Sequence, residues 1–323
     1  MRTRSVAIFI LTLLCAFAAA AISLATVLGF LGRWWWRFDL LAHFRVQYFA
    51  LLSVASLFLA TQGQVLLAGI FSLFAVVNVG MLAPFYRPRA RLPQRKTYRL
   101  LLANVLQENR RYGDMLELIE RRQPDFVALI ETGEHWIEAL APLRESHPFS
   151  VHEFWGEENY DIALFSKIAP DSFSVERFGP LGTPTLLGRF TLGGIPLNVI
   201  VTHPAPPKTA FETNARNSQL AELAGFLAAQ QVATLLAGDL NITSWSPFFG
   251  RLLRQGNLRD SRIGYGIQAS WPAASPFARV PIDHVLVSPD IQVHHRCLGP
   301  LTGSDHRPVL VDFSLLDKSP PNA

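Results

Sequence analysis

The feature that most limits how this chain can fold is an uninterrupted apolar stretch from Val6 to Leu31, which contains no charged residue. A helix needs roughly 20 apolar residues to cross the hydrocarbon core of a bilayer, and this stretch is longer. Val65 to Ala83 is nearly as long, and Val46 to Ala60 is a shorter third segment. We therefore predict a membrane region over residues 1–86, with transmembrane helices at about 6–31, 44–61 and 65–84.

The residues between these segments also fit a membrane region. Trp34, Trp35 and Trp36 are followed by Arg37, a combination typical of the headgroup level of a bilayer. A cleaved signal peptide would explain the first stretch, but it would leave the two further apolar segments without an explanation. We expect a multi-pass protein of the cell membrane whose partner is the lipid bilayer.

Two rules for membrane orientation disagree for this chain. With three spans, the cations from Arg87 to Arg99 lie on the side opposite Arg2 and Arg4, which favours a cytoplasmic C-terminal domain. A basic N-terminus before a first span usually stays in the cytoplasm, which favours the reverse. The two cysteines, at positions 15 and 297, predict no intramolecular disulfide and do not decide the compartment. The side of the membrane is left open.

The net charge of +4 hides two different regions. Residues 1–96 hold ten Lys and Arg against one acid, giving +9, whereas residues 97–323 hold nineteen against twenty-four, giving −5. Positive charge beside a membrane serves topology and attraction to lipid headgroups. The acidic remainder lacks the basic surface that supplies most non-specific affinity for nucleic acid.

Strand-like and helix-like segments alternate after residue 97. Pro88 and Pro93 lie among cations and predict a basic linker over residues 87–97, followed by one domain over 98–316 and a loose tail over 317–323. Apolar runs and spacing predict strands at 98–106, 125–132, 161–167, 232–241, 282–288 and 307–315, a hairpin at 190–202, and helices at 112–122 and 214–230.

Polar side chains recur where the apolar runs end. Each alone has an ordinary explanation, such as a turn formed by an Asx side chain. A sheet fold can, however, bring strand ends from distant parts of a sequence to one rim. We therefore expect one polar site formed by Asn104, Glu131, His203, Asp239, Asn241, Asp283, Asp305 and His306.

The order of these residues resembles the endonuclease/exonuclease/phosphatase family. GDLN (Gly238 to Asn241) and SDHRP (Ser304 to Pro308) are the most specific pieces, and the resemblance covers roughly Tyr98 to Leu315. It implies an α/β (α+β) fold, a four-layered α/β/β/α sandwich with two packed mixed β-sheets. It also implies a hydrolase that depends on Mg²⁺, with Mn²⁺ as the alternative metal, and acts on a phosphodiester or phosphomonoester.

The resemblance implies a role for each polar residue. The metal would be held by Glu131, assisted by Asn104 and Asp305, because hard divalent cations take oxygen ligands. The catalytic residues would be Asp239 as general base, Asn241 beside the attacking water, the pair His306 and Asp283, and His203 on the opposite flank. Three further residues are expected either to bind the substrate phosphate or to support the site: Asp161, Arg216 and Ser304.

Two departures from the family pattern bear on metal affinity and substrate choice. Ile130 stands where many relatives have Gln, and Asp161 where relatives often have Gly. The substrate class is left open among a small molecule, a lipid headgroup and a nucleic acid, so a nuclease is one alternative. A non-catalytic, membrane-bound binding module on the same fold is the other, and no protein partner can be inferred.

Overall fold

The computed structural model describes residues 2–88, 96–156 and 159–316, with side chains from residue 6 onward. The chain forms two compact units, Met1–Arg87 with Trp245–Pro247, and Pro88–Ser244 with Phe248–Ala323. Most of the predicted linker and all of the predicted tail lie outside the described residues.

The first unit is helical. Its helices are α1 (Arg2–Phe30), α2 (Trp36–Leu41), α3 (Arg45–Thr61) and α4 (Val65–Leu82), with short 3₁₀ helices at Ala42–Phe44 and Ala83–Tyr86. Three helical segments of the described chain are long and apolar enough to cross a membrane, Val6–Phe30, Trp36–Thr61 and Val65–Tyr86. The second segment begins earlier than expected, because α2 and the first 3₁₀ helix extend α3 toward the N-terminus.

Buried polar contacts connect the three long helices. Arg45 at the start of α3 donates through Nη1 to the Thr26 carbonyl at 3.0 Å and to Asn78 Oδ1 at 3.3 Å. Asn78 in turn donates to Thr26 Oγ1 at 3.0 Å. Polar groups buried among apolar helices require partners, so these contacts fix how the three helices pack.

The second unit contains two six-stranded sheets. The first has the order β11-β12-β1-β2-β4-β3 and the second the order β5-β6-β7-β8-β10-β9. The strands are β1 (Tyr98–Asn104), β2 (Phe126–Ile130), β3 (Phe149–Glu153), β4 (Ile162–Ser166), β5 (Ser172–Arg177), β6 (Pro184–Leu192), β7 (Ile195–Thr202), β8 (Ala233–Asp239), β9 (Arg259–Asp260), β10 (Asp283–Val287), β11 (Ile291–Leu298) and β12 (Val309–Leu315). The helices are α5 (Tyr112–Arg122), α6 (Gly133–Ala139), α7 (Ala210–Ala229) and α8 (Pro247–Gln255).

Apolar side chains on both faces of the sheets create the layers. Successive residues of a strand point to opposite faces. Leu100 of β1 accordingly packs into the core shared by the two sheets, with Val199 and Leu235 of the second sheet, whereas Leu101 packs outward with Met115 of α5. The outer face of the second sheet packs on α7 and α8. The predicted four-layered sandwich of two mixed sheets is confirmed.

Strand pairing brings distant polar residues to one edge. The strands β1 and β2 are parallel, with Asn104 beside Ile130, so that Glu131 follows at the same end. In the other sheet β8 and β10 are antiparallel, and Asp239 pairs directly with Asp283. Both sheets therefore present polar side chains at this edge: Asn104 and Glu131 at the carboxyl ends of β1 and β2, Asp239 at the carboxyl end of β8 and Asp283 at the amino end of β10.

Candidate active site

Asn104 connects the two sheets at this edge. Its Nδ2 donates to Glu131 Oε1 at 2.7 Å and to Asp239 Oδ2 at 3.2 Å. Its Oδ1 accepts a hydrogen bond from the Leu106 backbone N–H at 3.1 Å. In this arrangement Asn104 orients two carboxylates through its amide nitrogen, and its expected role as a metal ligand stays a prediction.

Glu131 follows β2 with its backbone in the left-handed region, at φ 59°. Such a conformation costs a non-glycine residue of order 1–3 kcal/mol and persists only where its surroundings hold it. Burial alone raises the pKa of Glu131, but hydrogen bonds and charge from His203, with Asn104, outweigh it and lower the pKa. The side chain is therefore a carboxylate near neutral pH.

His203 lies between the two carboxylates. Its Nδ1–H donates to the Asp239 carbonyl at 3.1 Å, and its Nε2 lies 3.4 Å from Glu131 Oε1. Burial alone lowers the pKa of His203, but Glu131 and Asp239 outweigh burial and raise it. The ring can therefore carry a positive charge beside the carboxylates.

His306 forms a second histidine–carboxylate arrangement. Its Nδ1–H donates to Asp283 Oδ2 at 2.9 Å, and its Nε2 lies 3.6 Å from Asp239 Oδ2. Burial alone lowers the pKa of His306, but the charges of Asp283 and Asp239 raise it to about 10. The imidazolium can therefore donate a hydrogen bond to an anionic group near neutral pH.

Asp239 lies at the centre of the cluster and is almost fully buried. Burial raises its pKa to about 6, with Asp283 contributing in the same direction against the cationic His306 and His203. A proton acceptor works best when its pKa lies near the working pH. The buried carboxylate of Asp239 meets that requirement.

The donor set fits a hard divalent cation. Among the described residues, two groups of side chains can offer one ligand atom per residue with these atoms within 4.8 Å of one another, Glu131 with His203 and Asp239, and Asp239 with Asp283 and His306. In the same part of the chain, Asp283 Oδ1 is buried without a hydrogen-bond partner. Carboxylate oxygens of this kind suit Mg²⁺ or Mn²⁺.

Asp305 lies at the exposed side of the cluster. Its side chain is 46% exposed, with Oδ1 4.0 Å from His306 Nε2. Its Oδ2 accepts a hydrogen bond from Trp271 Nε1 at 2.8 Å. The predicted metal ligand is therefore near His306 but belongs to neither of the two ligand groups found among the described residues.

Asn241 reaches the site by a turn. The strand β8 ends at Asp239, and Asn241 has φ 51°, so the continuing strand assumed from the sequence does not form. Its N–H donates to Asp239 Oδ1 at 3.0 Å and its Nδ2 to the Pro204 carbonyl at 3.0 Å. Arg216 of α7 is fully buried and donates through Nη1 to the Asn241 carbonyl at 2.7 Å, which holds the turn in place.

Ser304 joins the loop that carries His306 to β1. Its Oγ donates to the Asn104 carbonyl at 2.8 Å and accepts from the His306 N–H at 3.0 Å. Ser304 therefore supports two residues of the cluster through their backbones, and its expected contact with substrate phosphate stays a prediction.

Gly238 is a requirement that sequence reasoning missed. A Cβ at this position would lie 2.1 Å from the Thr202 carbonyl oxygen, so only glycine lets β8 approach the end of β7 this closely. The signal was available in GDLN, where the glycine precedes Asp239. It could not be interpreted without the strand pairing.

We expect Gly238→Ala to destabilise the protein by about 3 kcal/mol, because the overlap is with rigid backbone of a neighbouring strand. Chemical denaturation followed by circular dichroism would measure the change. Gly225→Ala is the matched control, since an added Cβ meets nothing within 4 Å there and Ala is the better residue in α7. Equal stability of the two variants would contradict the close approach.

Comparisons with known proteins find the same fold in solved structures. Solved structures with the same fold include an endonuclease/exonuclease/phosphatase from Beutenbergia cavernae DSM 12333, at TM-score 0.54 and 19% identity over 69% of this chain and 72% of that one. D. rerio TDP2 complexed with a single strand DNA product matches at TM-score 0.58 and 16% identity, covering 68% and 100%. Sphingomyelinase C from Streptomyces griseocarneus matches at TM-score 0.50 and 17% identity, covering 68% and 99%.

These identities establish the fold alone, and no curated protein matches the sequence. The model of one family, the Endonuclease/Exonuclease/phosphatase family, matches residues 75–306, which is well over half of the chain. With the strand-end cluster of Asn104, Glu131, Asp239 and His306, this match shows that the chain belongs to the endonuclease/exonuclease/phosphatase family, whose members hydrolyse phosphoester bonds.

Proposed function

We propose that the protein is a membrane-anchored, divalent-metal-dependent phosphoesterase that hydrolyses a phosphodiester or phosphomonoester by in-line attack of an activated water. One observation carries the proposal: Asp239 lies within 3.6 Å of both the Asn104 amide and the His306 ring. Asp239 as the base therefore lies beside the His306 cation, and Asn104 connects it to Glu131, the carboxylate for the metal.

The metal would be held by Glu131, with Asn104 and Asp305 as further predicted ligands. When bound, Mg²⁺ or Mn²⁺ supplies polarisation of a phosphoryl oxygen and offsets the charge that develops there. The contact between Asn104 Nδ2 and Glu131 Oε1, at 2.7 Å, supports this role because it orients the Glu131 carboxylate.

Asp239 would accept the proton of the attacking water, with Asn241 orienting that water. The pKa of about 6 supports this role, since a carboxylate is then ionised near pH 7 and still basic enough to take a proton. The contact between the Asn241 N–H and Asp239 Oδ1 keeps the two residues together.

His306 would donate to a non-bridging phosphate oxygen or protonate the leaving group. Asp283 holds the ring through Nδ1, which leaves Nε2 directed toward the cluster. His203 would supply a second hydrogen-bond donor on the opposite side. Fixed donors aimed at developing charge are a large source of catalysis in such sites.

A small or lipid-linked phosphoester is the favoured substrate. Exposed apolar side chains lie on the loops that adjoin Asp305, namely Trp271 at 38%, Phe277 at 89% and Leu301 at 55% exposure. These loops are tied to Asp305 through the Trp271 ring and the Ala273 N–H. Together with a charge of −5 over residues 97–323, they suit an apolar ester better than polyanionic nucleic acid.

The test is hydrolysis by the full-length protein in detergent micelles. The substrates are bis(p-nitrophenyl) phosphate, p-nitrophenyl phosphate, sphingomyelin micelles and single-stranded DNA. We expect turnover of at least one ester with Mg²⁺ or Mn²⁺, complete loss after EDTA treatment, and recovery when metal is returned.

The pattern of substrates separates the remaining alternatives. Turnover of DNA but none of the other esters would favour the nuclease. A folded protein that hydrolyses none of the four with either metal would overturn the proposal and favour the binding module.

A further inference from the structure

Asp161 is a buried carboxylate next to the site that the proposed mechanism does not use. It stands immediately before β4 and is 3% exposed. Its Oδ1 accepts a hydrogen bond from the Trp155 backbone N–H at 2.6 Å. Among the described residues, no cation forms an ion pair with Asp161. Its side chain is therefore held by a backbone N–H group.

The segment that Asp161 contacts is the turn that carries Glu131. The Asp161 carbonyl accepts from the Glu131 N–H at 2.8 Å and from the Thr132 N–H at 3.4 Å. Glu131 and Gly133 both have left-handed backbone, at φ 59° and 58°. Because such a turn is unfavourable for a glutamate, its contacts decide whether the carboxylate keeps its direction.

On its other side Asp161 contacts the loop that follows β3. Trp155 in this loop lies under the Arg177 guanidinium, at 4.4 Å from Cζ to the ring centre, and Arg177 pairs with Glu153 at 2.6 Å. The neighbouring Tyr160 ring lies 5.7 Å from the His203 ring. Asp161 thus connects Trp155, through its side chain, to the turn of Glu131, through its backbone carbonyl.

We propose that Asp161 is a positioning residue: its carboxylate fixes Asp161 to the Trp155 N–H, so that its backbone carbonyl holds the Glu131 turn and directs Glu131 toward the metal. The inference rests on the proposed function, since it assigns Asp161 to the site through Glu131. Partners of this kind around a metal ligand typically change metal affinity by 10–100-fold when they are removed.

Hydrogen bonding and negative charge make different predictions for substitutions at this position. Asp161→Asn keeps an oxygen acceptor for the Trp155 N–H and removes the charge. Asp161→Glu keeps the charge and displaces the acceptor by one methylene. Asp161→Ala removes both. If Asp161 positions Glu131 by hydrogen bonding, the asparagine variant should stay close to wild type.

The experiment is a titration of the full-length protein with Mn²⁺, by isothermal calorimetry and by activity against Mn²⁺ concentration. We expect Asp161→Ala and Asp161→Glu to weaken Mn²⁺ binding about tenfold, while kcat at saturating Mn²⁺ recovers to within about twofold of wild type. Asp161→Asn should bind Mn²⁺ within about twofold of wild type. The control is Asp171→Ala, which removes a carboxylate that accepts from Thr191 Oγ1 outside the site.

Thermal unfolding of the metal-free proteins shows which variants fold, and only those are compared with the wild type. If Asp161→Ala does not fold, the asparagine and glutamate variants still decide. Wild-type affinity in the glutamate variant, or an asparagine variant as weak as the glutamate variant, would overturn positioning by the hydrogen bond. If the wild type neither binds Mn²⁺ nor hydrolyses an ester, the proposed function itself is wrong. If the wild type binds Mn²⁺ and the Asp161 variants bind it equally well, only the role of Asp161 is wrong.

Discussion

Asp239→Asn is expected to lower kcat by about 10²–10⁴-fold in the full-length protein, because the substitution removes the proposed proton acceptor while preserving its shape. The Oδ1 that accepts from the Asn241 N–H has a counterpart in the new side chain, but Oδ2, which accepts from Asn104 Nδ2, is replaced by an amide nitrogen that cannot accept. Burial raises the pKa of Asp239, so removing the charge offsets this lost hydrogen bond, and the unfolding temperature at pH 8 should change little. Steady-state kinetics and thermal unfolding measure the two effects.

The matched control for this prediction is Asp171→Asn, the same chemical change at an exposed carboxylate that contacts Thr191. It should leave kcat within about twofold of wild type. Substantial activity in Asp239→Asn, within about tenfold of wild type at saturating metal, would remove Asp239 from the role of general base. The folded state has to be verified for both proteins by circular dichroism.

His306→Gln is expected to lower kcat by about 10²–10³-fold, since it removes a fixed cationic donor from the phosphate site. Asp283→Asn should lower it less, by about tenfold, because Asp283 acts through the His306 ring at 2.9 Å. The double variant should be no worse than His306→Gln, because Asp283 has nothing to orient once the ring is gone. The wild type, the two single variants and the double variant form a cycle that measures this coupling.

The pKa of His306, raised to about 10, also predicts how the loss of activity in His306→Gln depends on pH. His306 stays protonated at both pH 6 and pH 8, but its charge also lowers the pKa of Asp239, so the loss in His306→Gln should be larger at pH 6, where Asp239 then keeps its proton. His294→Gln is the control, since His294 contacts Ser314 on β11 and β12, away from the cluster. Additive effects in the cycle would show that Asp283 and His306 act independently.

The sequence predicted the central strands better than the edge strands. The runs that became β1, β2, β4 and β8 are apolar on both faces because each lies between neighbours and under helices or the other sheet. The strands β3, β5, β9 and β11 were missed, as was most of β6. The four missed strands form the edges of the two sheets and have partly exposed faces, so sequences such as FSVHE contain no continuous apolar run.

The residues of the site could be named from the sequence because they follow apolar runs whose ends meet. Their contacts could not be predicted, because each depends on a partner distant in sequence. The turn at Asn241 is held by Arg216, the amide of Asn104 faces two carboxylates, and Asp161 contacts two separate loops. Such arrangements are set by tertiary packing, which no local pattern encodes.

The position of β1 has a consequence for how the protein is made. The strand β1 lies between β2 and β12, so its sheet lacks a central neighbour until β12 has left the ribosome. At typical elongation rates, roughly ten to forty seconds separate the synthesis of β1 and β12. The apolar helices precede both strands, and His306 comes only three residues before β12. A nascent chain can therefore present its apolar helices to a bilayer before the proposed site can assemble, so synthesis itself delays the proposed activity until β12 has been made.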